Sequence, residues 1–290
     1  IRDTLPVLLP EQQDDVLFAE TRLALEDGYG VLFTNGTGTG KTFTGLGIIK
    51  RYAKQGKTNI LIVVPDDPIK QGWLRSAPML GLSVTELADT TDAGTGIVVT
   101  TYANLRDNVA VVKRQWDLVV SDEAHENGSA KDGSITDAGY AIRALTMHPE
   151  GITKRARMQH PELAAKIDAL QARYDEATKK KQNALALQLA EQLRPLRMEF
   201  AGYRQEVGDL VYARQGKARP RAVFLSATPF AWEKNVTWAQ GYLFDWNKGH
   251  SDNSDLSAYE AYMVENFGYR IRYSKLTEPG VGYKLAEPGN

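Results

Sequence analysis

A glycine-rich segment that ends in lysine and threonine is the strongest chemical pattern in the sequence. It follows a short apolar run, residues 31–34. Glycines allow successive backbone N–H groups to turn towards phosphate oxygens without a clash from Cβ atoms, and a helix that begins after them adds the positive end of its dipole. In such a loop Lys41 reaches the β- and γ-phosphates of a nucleotide, and the Thr42 hydroxyl ligates Mg²⁺. The predicted phosphate loop comprises Asn35, Gly36, Thr37, Gly38, Thr39, Gly40, Lys41 and Thr42.

The phosphate loop departs from the strict pattern at its first position. The pattern G-x-x-x-x-G-K-[ST] places glycine where this sequence has Asn35. A surface loop that is merely rich in glycine and threonine is the alternative interpretation. An apolar strand before the loop and a helical stretch after it favour the phosphate site, because this order brings loop N–H groups and a helix N-terminus to one point.

Two adjoining carboxylates follow another apolar run, residues 118–121. In a parallel sheet the carboxyl ends of the strands meet at one edge, and ligands bind there. Asp122 at such a strand end can hold Mg²⁺ through water, and Glu123 can orient and deprotonate an attacking water molecule. We therefore predict that a magnesium-bound nucleotide lies between Lys41 and Asp122 and is hydrolysed there.

Five short apolar runs have the pattern of strands that are covered by helices on both faces. Helical stretches are predicted between them, and this alternation is typical of an α/β fold with a doubly wound, mainly parallel sheet. The predicted strands are residues 30–34, 60–64, 97–100, 118–121 and 222–226, and the predicted helices begin after Lys41 and after Pro68 and cover residues 104–115 and 135–145.

The alternation stops between residues 153 and 219, where leucines recur at helical spacing. We predict a helical insertion here, a hairpin whose second helix is kinked or interrupted at Pro195. The insertion contains 14 Lys or Arg against 8 Asp or Glu and is therefore locally basic. The predicted organisation is an α/β domain in two parts, residues 1–152 and 220–245, around the insertion, followed by an extension or linker, residues 246–290.

The bulk composition excludes several kinds of site. The chain has 290 residues, a formal net charge of −1 and no cysteine, which rules out disulfides, thiolate zinc sites and iron–sulfur clusters. The charge restricts any polyanion site to a local patch, and no run of about 18 apolar residues predicts a membrane span. Without an initiator Met or a signal-peptide pattern, we expect a piece of a longer protein that is cytoplasmic or nucleoid-associated and not secreted.

The acidic pair continues as Asp122-Glu123-Ala124-His125, and together with the phosphate loop it resembles the first RecA-like ATPase domain of superfamily 2 helicases and translocases. The resemblance covers about residues 9–230 without the insertion. It implies ATP and Mg²⁺ as cofactors and a role for His125 in coupling the motifs.

Weaker landmarks occur in the order of this superfamily. The resemblance implies that Gln13 reads adenine, with Gln12 as the neighbouring alternative, and that Ser226 and Thr228 couple the ATP state to domain movement. It also implies contacts to the nucleic-acid backbone from two segments after strands. These contacts are Pro65 and Gln71, in a segment that also contains Trp73, and Thr100 and Thr101. Each landmark also has a plain alternative. Gln13 is then a solvent-facing residue and Pro65 only ends a strand, while Thr100 and Thr101 are β-formers and Trp73 belongs to the core.

A closer resemblance concerns the end of the domain. Residues 226–230, Asn235 and the aromatic-rich residues 238–246 resemble the strawberry-notch-like helicases, which often occur in phage, plasmid or methylase-associated proteins. A complete motor of the superfamily has two RecA-like domains, and the second supplies arginines that stabilise the transferred phosphate. The sequence shows no second phosphate-site domain, so we expect this domain as a partner from outside the chain and weak hydrolysis by the chain alone.

Three functions remain open at this point. The first is an ATP-driven helicase or translocase with nucleic acid, DNA in particular, as its partner; the second is a P-loop kinase or another small NTPase. The third is a regulatory or structural module without turnover, against which the intact Lys41, Asp122 and Glu123 argue. The run 179–181 of three lysines is a solvated helix face or a phosphate contact, and a protein partner is the alternative occupant of the insertion.

Overall fold

The computed structural model describes residues 5–36, 38–230 and 233–245, and beyond these only the backbone of two short strands. It divides into two compact units, residues 1–238 and residues 239–290. Within the second unit, strand Tyr269–Arg270 pairs antiparallel with strand Lys284–Leu285. The rest of the predicted extension, residues 246–290, lies outside the described residues.

Six parallel strands form the sheet of the first unit, and this confirms the predicted doubly wound α/β fold. The order of the strands is β1-β6-β5-β2-β4-β3, so that the strand after the insertion lies between the strand before the phosphate loop and the strand before the acidic pair. An edge strand, β3, escaped prediction because its residues are partly exposed and form no apolar run. The strands are β1 (Gly30–Phe33), β2 (Ile60–Val64), β3 (Val84–Glu86), β4 (Ile97–Thr101), β5 (Leu118–Asp122) and β6 (Arg221–Leu225).

Helices cover both faces of the sheet, since the central strands are apolar at nearly every position. On one face, strand residues such as Ile62 and Val120 share a core with residues of α1 (Pro10–Ala24), α2 (Lys41–Lys54) and α3 (Asp67–Ser76). On the opposite face, the Phe224 ring packs against the Trp238 ring, with 4.9 Å between their centroids. The carboxyl edge of the sheet lies between these two layers.

Threonine caps begin the next two helices, α4 (Tyr102–Asp107) and α5 (Asp137–Leu145). The Thr101 and Thr136 hydroxyls accept hydrogen bonds from backbone N–H groups in the first turn of each helix. Helix α4 is shorter than the predicted helix, residues 104–115. Asn108 ends it, because this buried side chain bonds to loop backbone instead. The Asn108 partners are the carbonyls of Asp89 and Asp92 and the N–H groups of Ala110 and Val111.

The insertion consists of three helices, α6 (Ile152–Gln159), α7 (Pro161–Lys179) and α8 (Asn183–Ala213). Helices α7 and α8 pack against each other, and α8 runs through Pro195 without interruption. Near the sheet, Val207 and Val211 of α8 form a small core with Met147 and Ala156. None of the described helices combines the length and the apolar character that a membrane crossing requires.

Candidate active site

The phosphate loop connects the end of β1 to the start of α2. Gly38 and Gly40 have φ angles of 82° and 83°, the left-handed conformation that glycine adopts without strain. The Thr39 hydroxyl donates to the Gly36 carbonyl at 2.7 Å and closes the turn. Thr37 lies outside the described residues.

Lys41 points into the loop that precedes it. Its Nζ donates to the backbone carbonyls of Asn35 at 3.0 Å and of Gly36 at 3.3 Å. Thr42 follows in the first turn of α2 and is half-buried. The ammonium group and the helix N-terminus therefore converge on the loop, which is the arrangement that binds phosphate groups.

Helix α1 contacts both ends of the phosphate loop. Gln12 is buried and donates from Nε2 to the carbonyls of Thr39 at 3.2 Å and of Gly40 at 3.4 Å. At the other end, Asn35 Nδ2 donates to Asp15 Oδ2 at 2.7 Å. Asp15 is a site residue that the sequence analysis missed. Its spacing of three residues from Gln12, which puts both on one helix face, is the signal that could have found it.

Gln13, the residue predicted to read adenine, bonds to the segment that precedes α1. Its Nε2 donates to the carbonyls of Leu8 at 2.9 Å and Leu5 at 3.5 Å. These bonds use its amide N–H groups and leave Oε1 as the atom that can accept a hydrogen bond from a base. The adenine contact stays a prediction for Gln13, and the alternative, Gln12, is committed to the loop backbone.

Asp122 lies at the carboxyl end of β5, level with the start of the phosphate loop. In the sheet register, Asp122 and Phe33 both pair with Leu225 of the intervening strand. Burial raises the pKa of the Asp122 carboxyl above its usual value, while the positive charge of Lys41 acts in the opposite direction. The two predicted phosphate-site groups therefore lie within electrostatic range of each other at one edge of the sheet.

Two N–H groups hold the Asp122 carboxylate. The Trp73 indole donates from Nε1 to Oδ2 at 2.7 Å, and the Glu123 backbone N–H donates to Oδ1 at 3.0 Å. Behind the strand, the Tyr102 hydroxyl donates to the Asp122 carbonyl at 2.7 Å and lies 2.7 Å from Ser121 Oγ. Sequence reasoning missed these two aromatic partners of Asp122, because buried aromatic residues give the same signal as plain core.

Glu123 leaves the strand conformation abruptly, with φ 49° and ψ 56°. This left-handed region is uncommon for residues with a Cβ and occurs often at functional sites. The Glu123 Oε2 atom lies 3.3 Å from His125 Nδ1 and 3.5 Å from Ser226 Oγ. His125 Nδ1 lies 3.1 Å from the same hydroxyl, which also accepts the Thr228 N–H at 3.3 Å. Side chains thus join the end of β5 to the end of β6.

The residues predicted to contact nucleic acid differ in exposure. Pro65 is half-buried after β2, and Gln71 is exposed on α3. Thr101 is half-buried and caps α4 with its hydroxyl. Thr100 is fully buried, and its hydroxyl donates to the Leu87 carbonyl at 2.9 Å. The Thr100 side chain therefore does not reach a phosphate group, because it belongs to the interior of the sheet.

The side chains at this edge fit Mg²⁺ that is bound together with a nucleotide. Within the described part of the chain, no group of three or more His, Cys, Asp or Glu side chains could hold a metal ion. Mg²⁺ in nucleotide sites takes one or two protein oxygens and completes its octahedral shell with phosphate oxygens and water. The Thr42 hydroxyl and the Asp122 carboxylate are oxygen donors of the kind that such a site uses.

Comparisons with known proteins give a family match and matches to solved structures. Residues 8–148 match the family model of the type III restriction enzyme res subunit. Among solved structures, the chain resembles the SWI2/SNF2 ATPase core of Sulfolobus solfataricus in complex with dsDNA, at 21% identity and a TM-score of 0.40. The match covers 47% of this chain and 29% of that one, so this chain spans less than a third of the length of that structure. No curated protein sequence matches this chain.

The residues that match the family model contain the phosphate loop, the acidic pair and helices α1 to α5. The remaining strand of the sheet, β6, brings Ser226 to the same edge. The match to this family model supports a first RecA-like domain of the superfamily 2 helicase type over residues 8–148.

Proposed function

We propose that this chain hydrolyses ATP as one of the two RecA-like domains of a motor that moves on nucleic acid, specifically on DNA. The proposal rests mainly on one observation: Lys41, Asp122 and Glu123 meet at one edge of the sheet, and Glu123 is linked from there to Ser226. The name of the matched family, a restriction enzyme subunit, supports DNA as the nucleic acid.

The position of each group gives it a part in hydrolysis. Lys41 and the N–H groups of the phosphate loop bind the β- and γ-phosphates. Thr42 and Asp122 hold Mg²⁺, which when bound neutralises charge on the phosphate oxygens. Glu123, on its left-handed turn, orients a water molecule and accepts its proton as the terminal phosphate bond breaks.

The link from Glu123 to β6 supports coupling of hydrolysis to movement. A proton on Glu123 changes the charge that His125 and Ser226 face at 3.3 Å and 3.5 Å. Because Ser226 also accepts the Thr228 N–H, the change reaches the segment that leaves the sheet after β6. We expect a second RecA-like domain from outside this chain. It would respond to this change in charge and supply arginines that stabilise the transferred phosphate.

Nucleic-acid contacts are proposed for Pro65, Gln71 and Thr101, which are half-buried or exposed and lie at or after the ends of β2 and β4. Contacts of this kind go to the phosphate backbone and are independent of sequence but sensitive to salt. The insertion offers a further surface, for the nucleic-acid backbone or for a protein partner. The resemblance to strawberry-notch-like helicases stays a prediction.

The test is the ATPase rate of the full-length parent protein with and without DNA or RNA, for the wild type, Glu123→Gln and Glu126→Gln. Glu126 is a matched control, since it lies in the same turn, is exposed and has its carboxylate 3.7 Å from His125 Nε2. We expect DNA to stimulate turnover, Glu123→Gln to lower it by about 1,000-fold, and Glu126→Gln to leave it nearly unchanged.

Other outcomes point to the other functions. Turnover that is independent of nucleic acid and lost in Glu123→Gln would favour a small NTPase. An absence of turnover in the wild-type parent protein would favour a structural module. Stimulation by RNA alone would support a nucleic-acid motor that moves on RNA instead of DNA.

A further inference from the structure

Trp73 occupies an unusual position between two parts of the nucleotide site. It lies on α3, is fully buried, and packs its ring against α2 at Gly45, where a Cβ atom would come within 2.6 Å of Cη2. From this position its Nε1 donates to Asp122 Oδ2 at 2.7 Å. A tryptophan that serves only the core needs some acceptor for its N–H group; this one uses the carboxylate at the end of β5.

A second buried tryptophan, Trp116, shows the ordinary arrangement. Its Nε1 donates at 2.9 Å to the backbone carbonyl of Val111, in the turn that follows α4. The two tryptophans therefore carry the same N–H group in similarly buried surroundings but give it to different acceptors. Trp116 satisfies its N–H group with a neutral carbonyl nearby in the chain, whereas Trp73 reaches a carboxylate 49 residues away.

The bond from Trp73 determines how the Asp122 carboxylate is oriented. One oxygen, Oδ1, accepts from the adjacent Glu123 N–H, and the other, Oδ2, accepts from a group in a different element of the fold. Each carboxylate oxygen can accept in two directions, so both oxygens keep capacity for a metal-bound water or the metal itself. Groups that hold a metal-binding carboxylate in this way tune its affinity for the metal.

We propose that Trp73 is a positioning residue for Mg²⁺: its indole N–H holds the Asp122 carboxylate in the orientation that the metal–nucleotide complex requires. The inference rests on the proposed function, in which Asp122 is the magnesium-binding carboxylate. It adds a residue of α3 to the site, whereas phosphate binding by the loop around Lys41 does not depend on it.

The experiment compares Trp73→Phe with Trp116→Phe in the full chain, because phenylalanine keeps an aromatic ring and removes the N–H group. Mn²⁺ serves as the probe, and its binding to the protein–ADP complex is followed by electron paramagnetic resonance. We expect Trp73→Phe to weaken Mn²⁺ binding by about tenfold and Trp116→Phe to leave it unchanged. ADP affinity measured in EDTA should be the same in the wild type and both variants.

A second replacement guards against a loss of folding in Trp73→Phe. Site-specific incorporation of 3-benzothienylalanine at position 73 keeps the shape of the indole and puts sulfur in place of the N–H group. The same loss of Mn²⁺ affinity is expected. Unchanged Mn²⁺ affinity with this residue would overturn the inference.

An Asp122→Ala variant separates this inference from the proposed function. If Asp122→Ala binds Mn²⁺·ADP as the wild type does, Asp122 is not the metal-binding carboxylate and the proposed function fails at that point. If Asp122→Ala loses Mn²⁺ while both changes at position 73 retain it, the proposed function stands and only the role of Trp73 is overturned.

Discussion

The two edges of the sheet both contain buried charges, but they use them differently. At the amino edge, Arg221 donates to the backbone carbonyls of Leu23 at 3.2 Å, Leu25 at 2.9 Å and Gly216 at 3.1 Å. These carbonyls belong to the end of α1 and to a turn before β6. At the carboxyl edge, the Asp122 carboxylate is held by two N–H groups and faces the charge of Lys41.

The comparison indicates that the buried charge at the amino edge stabilises the fold, whereas the buried charge at the carboxyl edge binds a ligand. A guanidinium that satisfies several carbonyls stabilises the backbone around it, and removal leaves those carbonyls buried without partners. A carboxylate whose burial raises its pKa costs stability when it ionises, and such groups concentrate at functional sites. Changes at the amino edge should therefore affect folding, and changes at the carboxyl edge should affect nucleotide binding.

The largest effect is expected at the amino edge. Arg221→Met should lower the free energy of unfolding by about 4 kcal/mol, because several hydrogen bonds from a charged donor are lost and their carbonyls stay buried. Chemical denaturation measures this loss. Lys217→Met, an exposed change in the neighbouring turn, is the control and should stay within about 0.5 kcal/mol of the wild type. A folded Arg221→Met protein of normal stability would contradict the assignment.

Lys41→Ala should have the largest effect on ligand binding. The loss of the ammonium group from the phosphate loop should weaken ATP binding by about 3 kcal/mol, or roughly 100-fold, in isothermal titration calorimetry. Lys50→Ala is the control, since Lys50 lies on the same helix and donates to the Leu80 carbonyl at 2.5 Å. Equal ATP affinities of the two variants would contradict the assignment of nucleotide binding to the carboxyl edge.

A smaller effect is expected where α1 meets the phosphate loop. Asp15→Ala and Asn35→Ala should each weaken ATP binding by about 1 kcal/mol, and the double variant should be no worse than either, because they remove the same hydrogen bond. The exposed neighbour Asp14 provides the control, Asp14→Ala. Fully additive losses would show that the pair does not act as a unit.

The smallest effect concerns the titration of Asp122. Its pKa should lie above the usual value of 3.8 because of burial, and Trp73→Phe should raise it further, since the indole N–H stabilises the ionised form. With a folded-state pKa above the unfolded value, its contribution to stability is greatest at low pH and is lost as pH rises through the folded pKa. Carbon-13 NMR of labelled aspartate measures the titration; a midpoint below 3.8 would contradict the effect of burial.

Most of the carboxyl edge could be predicted, because its chemistry depends on residues that are close together in sequence. The phosphate loop and the acidic pair each occupy one short segment, and each follows an apolar strand. The contacts of Asp15, Trp73 and Tyr102 could not be predicted in the same way, since they join segments that are distant in the chain. For Thr100 the sequence could not show which face of β4 it occupies, and the hydroxyl lies inside the fold.

The sequence by itself determined the α/β fold, the phosphate loop and the two carboxylates, because glycine patterns, apolar strands and charged strand ends are local signals. Only the tertiary structure decided that β6 lies between β1 and β5, that Glu123 meets Ser226, and that Trp73 holds Asp122. The physical reason is that strand order and side-chain packing follow from how the whole core closes, and no short segment contains that information.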